Sequence, residues 1–257
     1  MNLSRAGYEI DRLEQLALGN SPVHRLHPRV KIIGAFAYIL AVVSIPAGKV
    51  SALMPFFLYP AVLMPLSDTP FKPLFLRLLT ALPFSLMGGI SSLVMIREPA
   101  FSLGGITITS GVLSFCSIML KAALTVLAVL ILIATTSFVE IACHLCGLGL
   151  PKILSLQLVM TYRYIGVLLG EAASMVTAYK LRAPDSSGIG MGDMGSFLGQ
   201  LVLRSFDRAE RVYQAMKCRG FHGVYQGAAN RKAGPFDYGF AAAVIAAAAV
   251  PTVLARI

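Results

Sequence analysis

Uncharged apolar runs of helical length, parted by short breaks, fill the first half of the chain; a mixed rhythm of apolar and charged residues follows. Residues 1–29 are polar. Their amphipathic stretch from Ile10 to Leu18, ended by Gly19-Asn20, fits a helix lying on a membrane surface or on a partner. Val30 to Ile45 is the first apolar run and Val50 to Leu66 the second, and Pro46-Ala47-Gly48 between them predicts a tight helical hairpin. Each run is a little short of the ~20 residues a helix needs to cross a bilayer. Pro55 and Pro60 interrupt the second run, which is tolerated where neighbours satisfy the freed carbonyls. Leu78 to Ile96, with Pro83 and Gly88-Gly89, reads as a third span, and residues 97–109 as a turn-rich external connection. A fourth span runs from about Ser110 to Ile133.

Ser137 and Glu140 stand at S-x-x-E spacing and predict the start of a shorter helix, stopped by Gly147, Gly149 and Pro151. From Pro151 to Gly234 charges recur at helical spacing, and no uncharged run is long enough to span. Phe236 to Ala255, rich in Ala and broken lightly by Pro251, reads as the last span. The expected architecture is an all-α integral membrane protein with about five transmembrane helices. Its parts are a cytoplasmic N-terminal segment (1–29), transmembrane helices 1–4 (30–133), a cytoplasmic domain of amphipathic helices (134–235) and transmembrane helix 5 (236–257).

Composition agrees. Hydrophobic residues make up 56% of the 257 and charged residues 13%, against roughly 25% charged in soluble domains; the mean hydropathy is +0.74. A net charge of +10 could suggest nucleic acid, but the 22 Lys and Arg are clustered: five in residues 1–31, two in 72–77 and eleven in 152–232. Basic clusters parted by apolar runs follow the positive-inside rule, placing the N-terminus in the cytoplasm and the C-terminus outside, with no nucleic acid implied. The start, MNLSRAGYEIDRLEQ, has no apolar h-region, so no cleavable signal peptide is expected. Cys116, Cys143, Cys146 and Cys218 form no secreted disulfide framework.

Chemistry gathers at two helix ends. In 204–218, Phe206, Ala209, Val212, Tyr213 and Met216 make one apolar stripe, with Arg204, Asp207, Arg208, Arg211 and Gln214 on the other side. Arg219 falls in the last turn before a helix-ending Gly220. An earlier amphipathic helix, 152–182, is stopped by Pro184 and leaves Arg182 in its last turn. Two helices thus finish alike, Leu181-Arg182-Ala183 and Cys218-Arg219-Gly220. Such arginines can simply complement the helix macrodipole, an effect of ~0.3–1 kcal/mol each. They can also enter a groove on a partner and bond its carboxylates or backbone in a fork that lysine cannot reproduce.

The stretch FDRAERVYQAMKCRGFHG closely resembles the signature of the T component of energy-coupling factor transporters, nearest the cobalt branch, the CbiQ family. Ser21-Pro-Val-His-Arg-Leu-His-Pro-Arg-Val-Lys31 resembles the family's lead-in to its first span; Gly149-Leu-Pro151, Arg163-Tyr164, Glu171 and Lys180-Leu-Arg182 also look like family positions, so essentially the whole chain is covered. Leu181 stands where small residues are usual, and His27 where an acidic one is expected. The resemblance implies a multi-pass scaffold in the bacterial inner (plasma) membrane whose coupling helices end in X-Arg-X motifs. By it, Leu181, Arg182, Ala183, Cys218, Arg219 and Gly220 bind two ATP-binding-cassette ATPase subunits similar to CbiO. A substrate-binding membrane subunit similar to CbiM, and an accessory one similar to CbiN, complete the implied assembly. The chain itself has no G-x-x-x-x-G-K-[ST], so ATP is bound by its partners; no cofactor and no catalytic or metal-ligating residue is expected here, and metal selection belongs to the substrate-binding subunit.

Other residues read more plainly. Cys143-His-Leu-Cys146 has no second ligand pair and reads as structural. His24, His27 and His222 are surface or capping residues. Lys121, inside the fourth span, is either paired and functional or snorkelling. Gly166-x-x-x-Gly170 allows close helix packing, and Glu171 with Arg163 is a candidate pair. The rival functions are the same role in a nickel importer, a membrane-embedded enzyme, and a stand-alone permease. The last two need more ionisable or polar groups in the spans than this chain carries.

Overall fold

In a computed structural model, residues 14, 17–46, 48–69, 71–95, 99–103, 106–183, 189–223 and 234–254 are described. They fall into two compact units, one of Leu16–Ser137 with Arg231–Ile257, the other of Met1–Gln15 with Phe138–Asn230. The chain is an all-α membrane protein, a single short β-hairpin apart among the described residues. Pro73–Leu93, Ser110–Thr135 and Lys152–Arg182 are long and apolar enough to cross a bilayer by length and composition. The third belongs to the region the sequence assigned wholly to the polar side. Its charges are few and widely spaced, so its mean hydropathy stays high although no uncharged run is long.

The first unit holds α1 (Pro28–Ser44), a 3-10 helix (Val50–Phe57) running into α2 (Leu58–Leu66), α3 (Phe71–Met95), α4 (Ser110–Thr135) and α8 (Pro235–Leu254). The hairpin expected around Pro46 is present: Gly48 takes a left-handed φ of 102°, and Tyr38, Val42 and Ile45 pack on Leu53 and Phe56 with Leu124 and Ala128 of α4. Pro60 has no N–H to return to the Phe56 carbonyl. The Tyr38 hydroxyl donates to that carbonyl instead, at 2.9 Å, with the Tyr59 ring stacked at 4.2 Å. A second cluster gathers Val23, Leu26, Leu63, Met64, Leu74 and Ile131. α3 lies along α4, closely enough at Gly89 that a Cβ there would sit 2.7 Å from the Phe115 ring. Along α1, Ile33, Phe36, Leu40 and Val43 form an exposed apolar row, the surface that lipid contact requires.

Residues 97–109 were expected as a turn-rich external connection, with no strand foreseen. The structure forms β1 (Pro99–Leu103) and β2 (Ile106–Thr109), paired antiparallel. The signal was legible: Ile-Thr-Ile-Thr alternates apolar and polar β-branched residues, and the Gly-Gly dipeptide before it is a sequence signature of a two-residue hairpin turn.

Two lysines lock α1 against α4. Lys31, 5% exposed, donates to the Thr135 carbonyl at the end of α4 at 2.7 Å. Lys121, on α4, donates to the Ile45 carbonyl at the end of α1. Each cation meets the negative end of the neighbouring helix, which fixes the two as antiparallel. Lys121 is therefore a paired structural cation. The lead-in to α1 is a second polar network. The Ser21 hydroxyl donates to His24 Nδ1 at 2.7 Å, and His24 Nε2 donates to the Ala134 carbonyl at 3.2 Å. His27 caps α1, its Nδ1 accepting the Arg29 N–H at 3.2 Å, as a carboxylate would in that position. The His27 N–H in turn donates to Asp237, in the first turn of α8, at 2.8 Å.

The second unit begins with α5 (Phe138–Leu145), directly after Ser137, and closes through a 3-10 turn (Cys146–Leu148) on Gly149, at φ 102°. α6 (Lys152–Arg182) follows, with the Ser155 hydroxyl donating to the Ala142 carbonyl at 2.6 Å and Val159 packed on Ala142 and Cys143. Tyr162 stacks on Phe138 at 4.7 Å, and its hydroxyl donates to Glu14 at 3.3 Å. α7 (Met191–Cys218) completes the unit.

Candidate functional site

α6 and α7 run antiparallel and carry both arginine ends. Their register is marked by the Tyr179 hydroxyl donating to Asp193 Oδ2 at 2.6 Å and by Arg204 donating to Glu171. Arg208 lies 3.6 Å from the other Glu171 oxygen. Glu171 thus pairs with two arginines of α7, where the sequence offered Arg163 on its own helix. Positions 163 and 171 are eight apart, two turns along one helix, beyond the i,i+4 reach of a side-chain pair.

Arg182 is the last residue of α6. It is exposed, as is Leu181 at 80%, and the Ala183 N–H closes the last turn on the Tyr179 carbonyl at 3.0 Å. Arg219 follows the last residue of α7 as its C-cap. Gly220, at φ 76°, donates to the Lys217 carbonyl at 2.9 Å, and Phe221 donates to the Met216 carbonyl at 3.0 Å. Those two bonds are a Schellman motif, in which the residue after the cap must turn left-handed. Cys218, Arg219 and Gly220 are all exposed. Because the helices are antiparallel, the two tips lie at opposite ends of the pair. The 28 residues of α7 place roughly 40 Å between its ends.

Between the helices lies a groove of about 650 Å³, walled by Leu156, Met160 and Tyr164 of α6 and by Phe206, Val212 and Met216 of α7. The stripe expected on α7 is divided. Val212 and Met216 are half-buried, while Phe206 (69%) and Tyr213 (54%), which also border the groove, stand exposed. Lys217 lies over the Tyr213 ring at 5.5 Å. Among the described residues nothing lies within 4 Å of a Cβ built at Gly166 or Gly170, so the pair marks no close helix approach there.

Cys143 is buried and Cys146 half-buried, both as free thiols. Burial first, then the nearby Cys146 and Glu140, pushes the Cys143 thiol up, away from the thiolate that metal binding and redox chemistry need. Among the described residues no three His, Cys, Asp or Glu side chains gather in a way that could hold a metal ion. Four residues that sequence reasoning missed organise the two units: Tyr38, Tyr179, Asp193 and Asp237. Only Asp193 and Asp237 carried a local sign, an acid in a helix's first turn.

A helical membrane unit joined to an antiparallel helix pair, with an exposed arginine at each end of the pair, defines an integral membrane protein that carries a second, amphipathic helical unit. The family profile of CbiQ, a cobalt transport protein, matches residues 19–229, and the chain belongs to that family, the T components of energy-coupling factor transporters. It is 28% identical over 229 residues to the energy-coupling factor transporter transmembrane protein EcfT of Listeria innocua serovar 6a, covering 80% of this chain and 82% of the relative. It is also 28% identical over 228 residues to EcfT of Leuconostoc gelidum subsp. gasicomitatum, covering 81% and 82%. A shorter match, 29% over 104 residues, joins 40% of the chain to 38% of the nickel permease LarQ of Lactiplantibacillus plantarum.

Proposed function

We propose that this chain is the non-catalytic transmembrane coupling subunit of a cobalt importer of the energy-coupling factor type, in the bacterial inner membrane. In this reading residues 134–235 face the cytoplasm, the N-terminus is inside, and five helices cross the bilayer. Two ATPase subunits grip the chain, one at Leu181-Arg182-Ala183 and one at Cys218-Arg219-Gly220. A membrane subunit that binds the metal packs against it, and the groups named CbiO, CbiM and CbiN in the cobalt branch are the expected partners. ATP stays on the ATPases.

The observation that carries the reading is the placement of two exposed guanidinium groups at opposite ends of one helix pair. Tips roughly 40 Å apart suit two separate binding domains rather than one groove. A guanidinium at a helix end offers a rigid fork of donors to carboxylates and carbonyls. When ATP draws two ATPases together, both tips move and the helices carry the displacement as levers. The braces at Glu171 and Tyr179 keep the levers from sliding past each other. The displacement reaches the membrane unit through the chain itself and tilts the metal-binding subunit until its ion is released inside.

The partial match to a nickel permease favours a second reading, the same role with nickel as cargo. Metal uptake by cells carrying the chain with its genomic neighbours, measured with cobalt and nickel side by side, separates the two. Arg182→Glu with Arg219→Glu should abolish co-purification of the ATPases, each single variant leaving one subunit weakly held. Complexes that stay intact in the double variant refute the docking role.

A further inference from the structure

The two arginine tips are braced by different means. The Arg219 end is locked by its own backbone, through left-handed Gly220 and the Phe221-to-Met216 bond. At the Arg182 end the cap residue Ala183 leaves α6 at φ −131° and ψ 75°, outside the left-handed region. A side-chain tie lies one turn back. Tyr179 uses its carbonyl to close the last turn on Ala183 and its hydroxyl to reach Asp193 in the first turn of α7. Asp193 is itself set, its N–H donating to the Gly190 carbonyl at 3.1 Å, and its charge suits the positive start of a helix. A hydroxyl given to a carboxylate at 2.6 Å is a charge-assisted bond, short and directional.

We propose that Tyr179 and Asp193 form a positioning clip that aims the Arg182 tip at its ATPase subunit, a role that rests on reading Arg182 as a docking residue. Three residues further along α6 place Arg182 about 60° around the helix from Tyr179. Fixing the face of Tyr179 against α7 therefore fixes the direction in which Arg182 leaves. With the clip open, the last turn is free to fray and rotate, and the arginine samples directions that miss its groove. The two tips are then unlike: one aimed by backbone, the other by a bond to the second lever. The clip makes the hold on the first ATPase depend on α6 and α7 keeping their register.

The test uses the full chain in lipid nanodiscs, titrated with the purified ATPase subunits. Tyr179→Phe and Asp193→Ala should each weaken binding by about three- to tenfold, the range of one lost hydrogen bond. Asp193→Asn, which keeps an acceptor but not the charge, should bind between the Asp193→Ala and parent chains. Tyr179→Phe should add nothing in an Arg182→Ala background, yet keep its full factor in an Arg219→Ala background. A Tyr179→Phe chain that binds normally, an Asp193→Asn chain as weak as Asp193→Ala, or a further loss in the Arg182→Ala background overturns the clip. Arg182→Ala that binds like the parent overturns the docking reading and the clip with it. Weak Arg182→Ala binding beside normal Tyr179→Phe binding overturns the clip alone.

Discussion

Gly220 offers a clean perturbation of the Arg219 tip. Its φ of 76° is left-handed, and a Cβ built there would meet nothing within 4 Å. Substitution therefore tests backbone conformation alone, without steric clash. An alanine in that conformation costs about 1–2 kcal/mol. The Schellman bonds from exposed Gly220 and half-buried Phe221 each contribute about 0.5–1.5 kcal/mol. The two sums are comparable, so Gly220→Ala should leave the end frayed in a substantial fraction of molecules. Apparent affinity for an ATPase falls in proportion to the fraction that remains competent, by about three- to tenfold. Gly220→Asn should cost less, because asparagine visits the left-handed region, and Gly220→Val should cost at least as much as alanine. Hydrogen exchange at the Gly220 and Phe221 amides, with ATPase titration on the same samples, reads both effects. Unchanged exchange in Gly220→Ala, or Asn as damaging as Val, would refute the conformational account. Faster exchange with unaltered binding would separate the Schellman end from docking.

Lys121→Met keeps most of the side-chain length and removes the donor to the Ile45 carbonyl; thermal unfolding in detergent should show a loss of about 1–3 kcal/mol, and an unchanged midpoint would mean the lysine is not a helix cap. Gly89→Leu should push α3 off Phe115 and destabilise the membrane unit by about 1–3 kcal/mol, with Gly88→Leu, which meets nothing within 4 Å, as the near-neutral control on the same unfolding assay.

Much of this protein follows from local order along the chain. Block hydrophobicity makes it a membrane protein, because uncharged runs of helical length have nowhere else to bury their surface. The break at Pro46 gives the first hairpin, since a prolyl ring and a left-handed glycine end one helix and permit another to start. Arg182 and Arg219 are legible as helix ends from Pro184 and Gly220, because caps act on the nearest turn. The β-hairpin of residues 99–109 was equally local, and the apolar spans on either side obscured its alternation.

Partners across the sequence are another matter. Lys121 reaches Ile45, Lys31 reaches Thr135, Tyr38 reaches Phe56, and Glu171 chooses Arg204 and Arg208 over Arg163. No spacing rule selects them. The three bonds to carbonyls exist because polar groups taken out of water must find partners, the Glu171 pairs at the surface because α7 brings its arginines alongside, and in every case packing alone decides which groups are in reach. The division of the α7 stripe into half-buried and exposed residues has the same origin: periodicity gives a face its width, whereas the neighbouring helix decides how much of it is covered. The sequence by itself therefore determined which segments are helices, where they stop and that arginines stand at two ends. Tertiary structure decided that those ends lie apart on one antiparallel pair, because the direction of a helix is settled by what it packs against and not by its own residues.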